Sequence, residues 1–199
     1  FAENLAIYPY TEAWVRKTLF SNKPVGPVAM PSHWTGERLP WTEQNRTKAK
    51  SMIVHEGVEV LQGEGVMEGS LMGGCLEVLE MCIGTEIWPD CTDCLLFLET
   101  SEESIPPKRF QYMLNRLFSA GFFDAPRGLL FAKPYQGIYQ QEYHAILKKT
   151  LSDHGLSDLP VAANLAFGHN EPMFILPYGA QGFFDCRTGM LSLPEPVVS

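Results

Sequence analysis

Two residues in this 199-residue sequence have the type and placement to move a proton. Glu99 closes the run Cys94-Leu95-Leu96-Phe97-Leu98, and His169 follows Phe167-Gly168 in a loop after another short apolar run. A run that short and apolar on both faces reads as a buried strand of an α/β sheet. Open α/β sheets place ligands and chemistry outside the carboxyl ends of their strands. If both strands share one sheet, Glu99 and His169 meet at its rim. A carboxylate set against an imidazole is the base half of a proton relay: the carboxylate orients the ring and the ring carries the proton. The residues by themselves supply no nucleophile. Ser70 fails the strand-to-helix elbow pattern, which needs glycines two before and two after the serine; Glu68 and Met72 stand there. Two blander readings stay open for the pair. Glu99 caps the loop after its strand while His169 bonds backbone in the core, or both belong to a binding domain without turnover.

The elements that must position these residues follow from hydrophobic spacing. Pro9 to Phe20 predicts a helix, with proline in its first turn and an apolar stripe of Tyr10, Trp14 and Leu19. Residues 1–8 predict extended or irregular chain, and Ser21 to Pro31, with three prolines, an extended connector. Val58 to Leu61 alternates as a strand does, and Leu76, Leu79 and Ile83 mark a short helix stopped by Gly84. Phe110, Met113, Leu114, Leu117 and Phe118 fall at helical spacing, as do Tyr139, Tyr143, Ile146, Leu147 and Leu151. Gly128–Ala132 and Leu159–Ala163 read as buried strands, and residues 173–176, 182–184 and 190–193 as short antiparallel ones. The order strand, helix, strand, helix, strand, then hairpins implies an α/β fold: a mixed sheet flanked by helices, with short antiparallel strands at the C-terminus. Residues 1–57 are expected to form an N-terminal helix with a tryptophan-containing connector, and 58–199 the α/β domain that carries Glu99 and His169.

Bulk properties narrow the function classes. The net charge of -8 argues against nucleic acid or an anionic membrane surface as the main partner. No apolar run reaches the ~20 residues that a membrane helix needs. The start, Phe1-Ala2-Glu3-Asn4, carries neither an initiator Met nor the basic-then-apolar pattern of a signal peptide, so a piece of a longer protein is expected, although a processed mature chain would look the same. Five cysteines, an odd number in a chain this large, suit a reducing cytoplasm better than a disulfide scaffold. Cys91-Thr92-Asp93-Cys94 is a lone pair without the second pair that a zinc knuckle needs, so no metal or other cofactor is expected.

Three further features are candidates for binding. Trp34 and Trp41 lie in a polar loop, where they either plug the loop onto the core or offer flat faces to a planar ligand. Gly73 and Gly74 precede a helix start, where free amide groups can face a ligand. Tyr135 sits in the loop after the Gly128–Ala132 strand. His33, His55, His144 and His154 read as solvated or structural histidines.

Several local patterns then fit one family in order and spacing. They are Gly69-x-x-x-Gly73-Gly74-x-Leu76; Leu95–Glu99 followed by a helix with Arg109 and Leu114; Gly128-Leu-Leu-Phe; and Pro160-Val with Gly168-His169 and Leu176-Pro177-Tyr178-Gly179. Residues 58–193 resemble the carboxy-terminal half of the LD-carboxypeptidase family of serine peptidases, which includes the microcin C self-immunity proteins. The resemblance implies the family's swivelling β/β/α-like C-terminal domain and a Ser–Glu–His hydrolase. Glu99 and His169 match the family's Glu and His, while the serine belongs to an N-terminal domain absent from this chain, which alone should be inactive. The implied substrate is a small peptide or an aminoacyl-nucleotide: an LD-peptide bond in murein recycling, or the acyl linkage of a peptidyl-nucleotide in antibiotic resistance of the self-immunity type. Trp34, Trp41, Gly73, Gly74 and Tyr135 are the expected substrate contacts. Cys75 stands where many relatives carry Asn, and Tyr135 where the self-immunity branch is expected to carry a carboxylate. Family members often pair with themselves, so a homodimer is a further expectation.

Overall fold

The computed structural model describes residues 7–198; the expectations for the first six residues lie outside them. In chain order the elements are α1 (Pro9–Leu19), β1 (Gly26–Val28), β2 (His33–Trp34), β3 (Ile53–Val54), β4 (Glu59–Gln62), β5 (Val66–Cys75) and α2 (Leu76–Cys82). There follow β6 (Leu95–Glu99), α3 (Pro107–Ser119), β7 (Gly128–Ala132), α4 (Gln140–Asp153), β8 (Val161–Leu165), β9 (Gln181–Asp185) and β10 (Met190–Leu193). Eight strands form one mixed sheet in the order β1-β10-β9-β5-β6-β7-β8-β4, and β2 pairs with β3 in a separate ribbon. The centre, β5 to β8, is parallel. Its strands are linked by α2, α3 and α4, as parallel pairing requires crossovers longer than a tight turn. The flanks are antiparallel.

Strand alternation sorts side chains into two cores. Leu96 and Leu98 of β6, with Leu129 and Phe131 of β7, pack under α2, α3 and α4. Leu95 and Phe97 of β6, with Leu130 and Ala132 of β7, face the opposite layer, which includes Trp14 of α1. Glu99 continues the Leu95–Phe97 alternation and so projects on the α1 side. On β8, Val161 and Ala163 face the helices. Asn164 then takes a left-handed backbone, φ 66°, and Leu165 joins the α1 side instead. That break in the alternation coincides with a register shift between β7 and β8. It carries the chain toward Gly168 and His169 on the same side as Glu99.

Several local expectations are corrected. Ser21–Pro31 is not only a connector, because Gly26–Val28 pairs with β10 as the sheet's edge strand. Pro27 is tolerable there because an edge strand need not donate from every residue. Gly73 and Gly74 do not lie free at a helix start; they are the end of β5, in register with Phe97 and Leu98. Residues 173–176 form irregular chain, since the amides of Met173 and Phe174 bond Thr11 Oγ1 and the Ala166 carbonyl and not a strand partner. His144 is buried and not solvated: α4 packs it edge-on to Phe131, with the Glu59 carboxylate 3.4 Å from Nδ1. Among the described residues no helix is long and apolar enough to cross a membrane.

Gly73 shows how closely β5 and β6 approach. A Cβ built on it meets the Phe97 carbonyl oxygen at 1.7 Å, and its φ of +156° is one that side chains avoid. Gly73→Ala is therefore expected to push β5 off β6 and destabilise the domain by at least about 3 kcal/mol, the upper range for point substitutions. Urea denaturation followed by circular dichroism measures it; a loss under ~1 kcal/mol, the size of an ordinary strand-propensity change, would contradict the packing described.

Candidate active site

β6 ends on Glu99 and the loop after β8 carries His169, and the two meet at the sheet rim. His169 Nδ1 lies 2.8 Å from Glu99 Oε2. The contact is charge-assisted when the imidazole is protonated, and it fixes Nδ1–H when the ring is neutral. Both side chains are partly shielded, Glu99 at 18% exposure and His169 at 34%. The Glu99 hydrogen bond raises the His169 pKa above its ordinary 6.5; burial opposes this, and the Glu99, Glu102 and Glu77 charges add to the rise.

Three devices hold this geometry. Gly168 has φ +94°, and a Cβ there would stand 2.1 Å from Glu99 Oε2, so the carboxylate occupies the space that a side chain would fill. Phe97 and Phe167 meet edge-on at 6.0 Å, bracing the strand that carries Glu99 against the loop that carries His169. Asn170 donates to the carbonyls of Lys133 and Pro134 and accepts from Gln136 N–H, tying the histidine loop to the chain leaving β7.

His169 faces a cleft of about 360 Å³ lined also by Arg38, Lys50, Glu102, Tyr135 and Glu171. That is within the size range of small-molecule sites. One wall is the segment after β2, bridged to the histidine loop by reciprocal backbone bonds between Thr35 and Glu171. Behind it the buried Lys133 ammonium donates to Glu56, Gln140 and Asn164, each at 3.0 Å, and stands 4.4 Å from the Trp34 ring centroid. Lys50 and Glu171 pair at 2.6 Å on the cleft wall.

The sequence candidates are placed unequally. Glu99 and His169 are brought together, and Tyr135 lines their cleft. Gly73 and Gly74 lie on the strand beside β6, with the Tyr178 hydroxyl donating to the Gly73 carbonyl. Trp34 is turned inward at 5% exposure beneath Lys133, while Trp41 stands 77% exposed and is not among the residues lining the cleft. The two rings thus do not form one platform, because the Lys133 cation just after β7 draws one of them into the core. Cys75 sits beside Glu99 in the β5–β6 register, its thiol donating to Glu77 and pushed up to about 12 mainly by burial. Sequence reasoning missed Arg38, Lys50, Glu102, Lys133 and Glu171. The only signal for Glu102 was an acid-rich loop directly after Glu99.

An α/β domain with a carboxylate–imidazole pair at the carboxyl rim of its parallel strands is thus defined by geometry. The profile of the LD-carboxypeptidase C-terminal domain matches residues 68–182, more than half of the chain, and the chain belongs to that family. Bacillus subtilis (strain 168) YocD, named provisionally as a carboxypeptidase, is 26% identical over 183 residues, covering 92% of this chain and 53% of YocD. The microcin C7 self-immunity protein MccF of Escherichia coli is 26% identical over 179 residues, covering 85% of this chain and 48% of MccF. The chain therefore spans about half the length of the curated relatives it matches. Among solved structures, an MccF-like protein from Streptococcus pneumoniae in complex with AMP superposes with a TM-score of 0.83 at 25% identity, covering 94% of this chain and 58% of that one.

The raised His169 pKa has a sign in folding stability. A histidine whose folded value exceeds the unfolded 6.5 contributes stability below 6.5 that is lost as pH rises through the folded value. Gly168→Ala should displace Glu99 and remove that pH-dependent part, beside a pH-independent loss of about 1–3 kcal/mol from strain. Urea midpoints measured from pH 5 to 9 test this; a variant curve parallel to that of the parent chain would contradict it.

Proposed function

We propose that this chain supplies the Glu and His of a Ser–Glu–His amide hydrolase, with the nucleophilic serine on a part of the protein outside this chain. The observation that carries the reading is the 2.8 Å contact of His169 Nδ1 with Glu99 Oε2 beside an open cleft. In the reaction, His169 Nε2 takes the proton of the serine hydroxyl as its oxygen attacks the amide carbonyl. The same nitrogen returns that proton to the departing amine, and a water molecule repeats the sequence to release the acyl group. Glu99 keeps the proton on Nδ1 and stabilises the imidazolium once it forms.

The substrate is a small amide of the aminoacyl- or peptidyl-nucleotide type, or the LD-peptide bond of a murein tetrapeptide. Favouring the first is the AMP complex of the Streptococcus pneumoniae relative, while Tyr135 on the cleft wall, where a carboxylate is expected in the self-immunity branch, counts against it. Trp34, buried under Lys133, lends it no support. The free cysteines favour a reducing cytoplasm as the setting, and this chain alone is expected to lack turnover because it holds two of the three catalytic residues.

The test uses the full-length protein with aminoacyl-sulfamoyl adenosine and with an LD-tetrapeptide, in parallel. One of the two is expected to be hydrolysed, and His169→Ala to cut turnover about 10⁴-fold, as in other triads. Undiminished turnover by His169→Ala would overturn the reading, and binding without turnover by the parent protein would make it a binding domain.

A further inference from the structure

His169 is bracketed by two carboxylates. Glu99 Oε2 is 2.8 Å from Nδ1, and Glu102 Oε2 is 3.2 Å from Nε2. A neutral imidazole has one N–H and one lone pair. It can donate to one of these carboxylates, and its lone pair then faces the other, which has nothing to donate. The imidazolium answers both, donating to Glu99 through Nδ1 and facing Glu102 as an ion pair at Nε2. The two carboxylates therefore favour the cationic ring over the neutral one, and the cation has no free electron pair with which to accept a proton.

Glu102 is held there by its loop. Glu77 of α2 accepts from Ser101 N at 3.0 Å and from Ser101 Oγ at 2.8 Å, fixing the residue beside Glu102 to the helix. Glu103 N donates back to Ser101 Oγ at 3.3 Å. On the far side, Arg38 of the cleft wall lies 3.9 Å from Glu102 Oε1. The charges acting on the ring from the elements packed around it are Glu99 at the end of β6, Glu102 in the following loop and Glu77 of α2. The cleft's other ions are Glu37, 3.6 Å from Lys48, Arg38, near Glu102, and Lys50, paired with Glu171.

We infer that Glu102 is a positioning residue that occupies His169 Nε2 in the resting site, keeps the imidazole protonated, and must leave that nitrogen before His169 can act as a base. The functional half of this inference rests on the reading of His169 as the proton carrier. On that reading the serine hydroxyl needs the same nitrogen, so nucleophile and Glu102 exclude each other. Withdrawal of Glu102 removes one carboxylate from the ring, and the proton on Nε2 is then released to solvent. The ring becomes neutral with Nδ1–H still on Glu99, the tautomer that general-base chemistry requires. Glu102 thus couples arrival of the nucleophile to activation of the base, and it sets the acidic limb of the pH–rate profile.

The experiment is an NMR titration of His169 in this chain, following its ring Cε1–H, for the parent sequence, Glu102→Gln and Glu103→Gln. Glu102→Gln is expected to move the His169 midpoint to lower pH, and Glu103→Gln, which changes the neighbouring carboxylate, to leave it in place. If Glu102→Gln does not fold, Glu102→Asp is read instead; one methylene shorter, it withdraws the carboxylate from Nε2 and should move the midpoint the same way. An unmoved midpoint in the folded Glu102 variant, or an equal movement in Glu103→Gln, overturns the inference. In the full-length protein Glu102→Gln should also move the acidic limb of kcat/KM to lower pH, and an unmoved limb counts against it. The titration needs no turnover, so its failure is distinguishable from failure of the hydrolase reading, which His169→Ala decides.

Discussion

The architecture of the rim depends on a missing methyl group. Glu99 reaches His169 only because Gly168 leaves its Cβ position to the carboxylate, with Oε2 2.1 Å from where that atom would stand. Two backbone choices upstream make this meeting available. β6 must end in the phase that turns Glu99 to the α1 side, and β8 must break its alternation at Asn164 so that the following chain reaches the same side. A one-residue slip in either strand would turn its side chains to the other face and separate the pair.

Around this contact the protein distributes charge in a way that serves position more than stability. The Lys133 ammonium is buried, and it is tolerated because three oxygens and the Trp34 ring surround it. In return it joins the end of β7 to β2, the segment before β4, α4 and β8 at one point. The Lys133 carbonyl also holds Asn170, so the segment carrying His169 is referenced to the same residue. Carboxylates dominate on the other side of the imidazole, where Glu99, Glu102 and Glu77 all favour its charged form.

Much of this was legible from residues alone, because burial on both faces leaves a plain mark. Leu95–Glu99 and Gly128–Ala132 are strands as their apolar runs imply, and the stripe through Phe110, Met113, Leu114 and Leu117 is the buried face of α3. The meeting of Glu99 with His169 followed from strand ends sharing one rim. What could not be read locally was set by tertiary partners. Gly26–Val28 becomes a strand only because β10 lies beside it. Gly73 and Gly74 look like helix-start glycines until β6 pairs with them. Trp34 turns inward because Lys133, about a hundred residues later in the chain, puts a cation at 4.4 Å from its ring. Glu102 is one of several acids in a polar loop, and only the fold of that loop on Glu77 selects it for Nε2.

The central claim is that Glu99 accepts a hydrogen bond from His169 Nδ1 in the folded domain. The most direct measurement is a long-range ¹⁵N–¹H correlation spectrum of the histidine side chains near neutral pH, for the parent chain and for Glu99→Gln. The account predicts a protected, strongly downfield Nδ1 proton on His169 in the parent chain and its loss in the variant. A His169 ring without that proton in the parent chain, or one whose Nδ1 proton persists unchanged in Glu99→Gln, would contradict it.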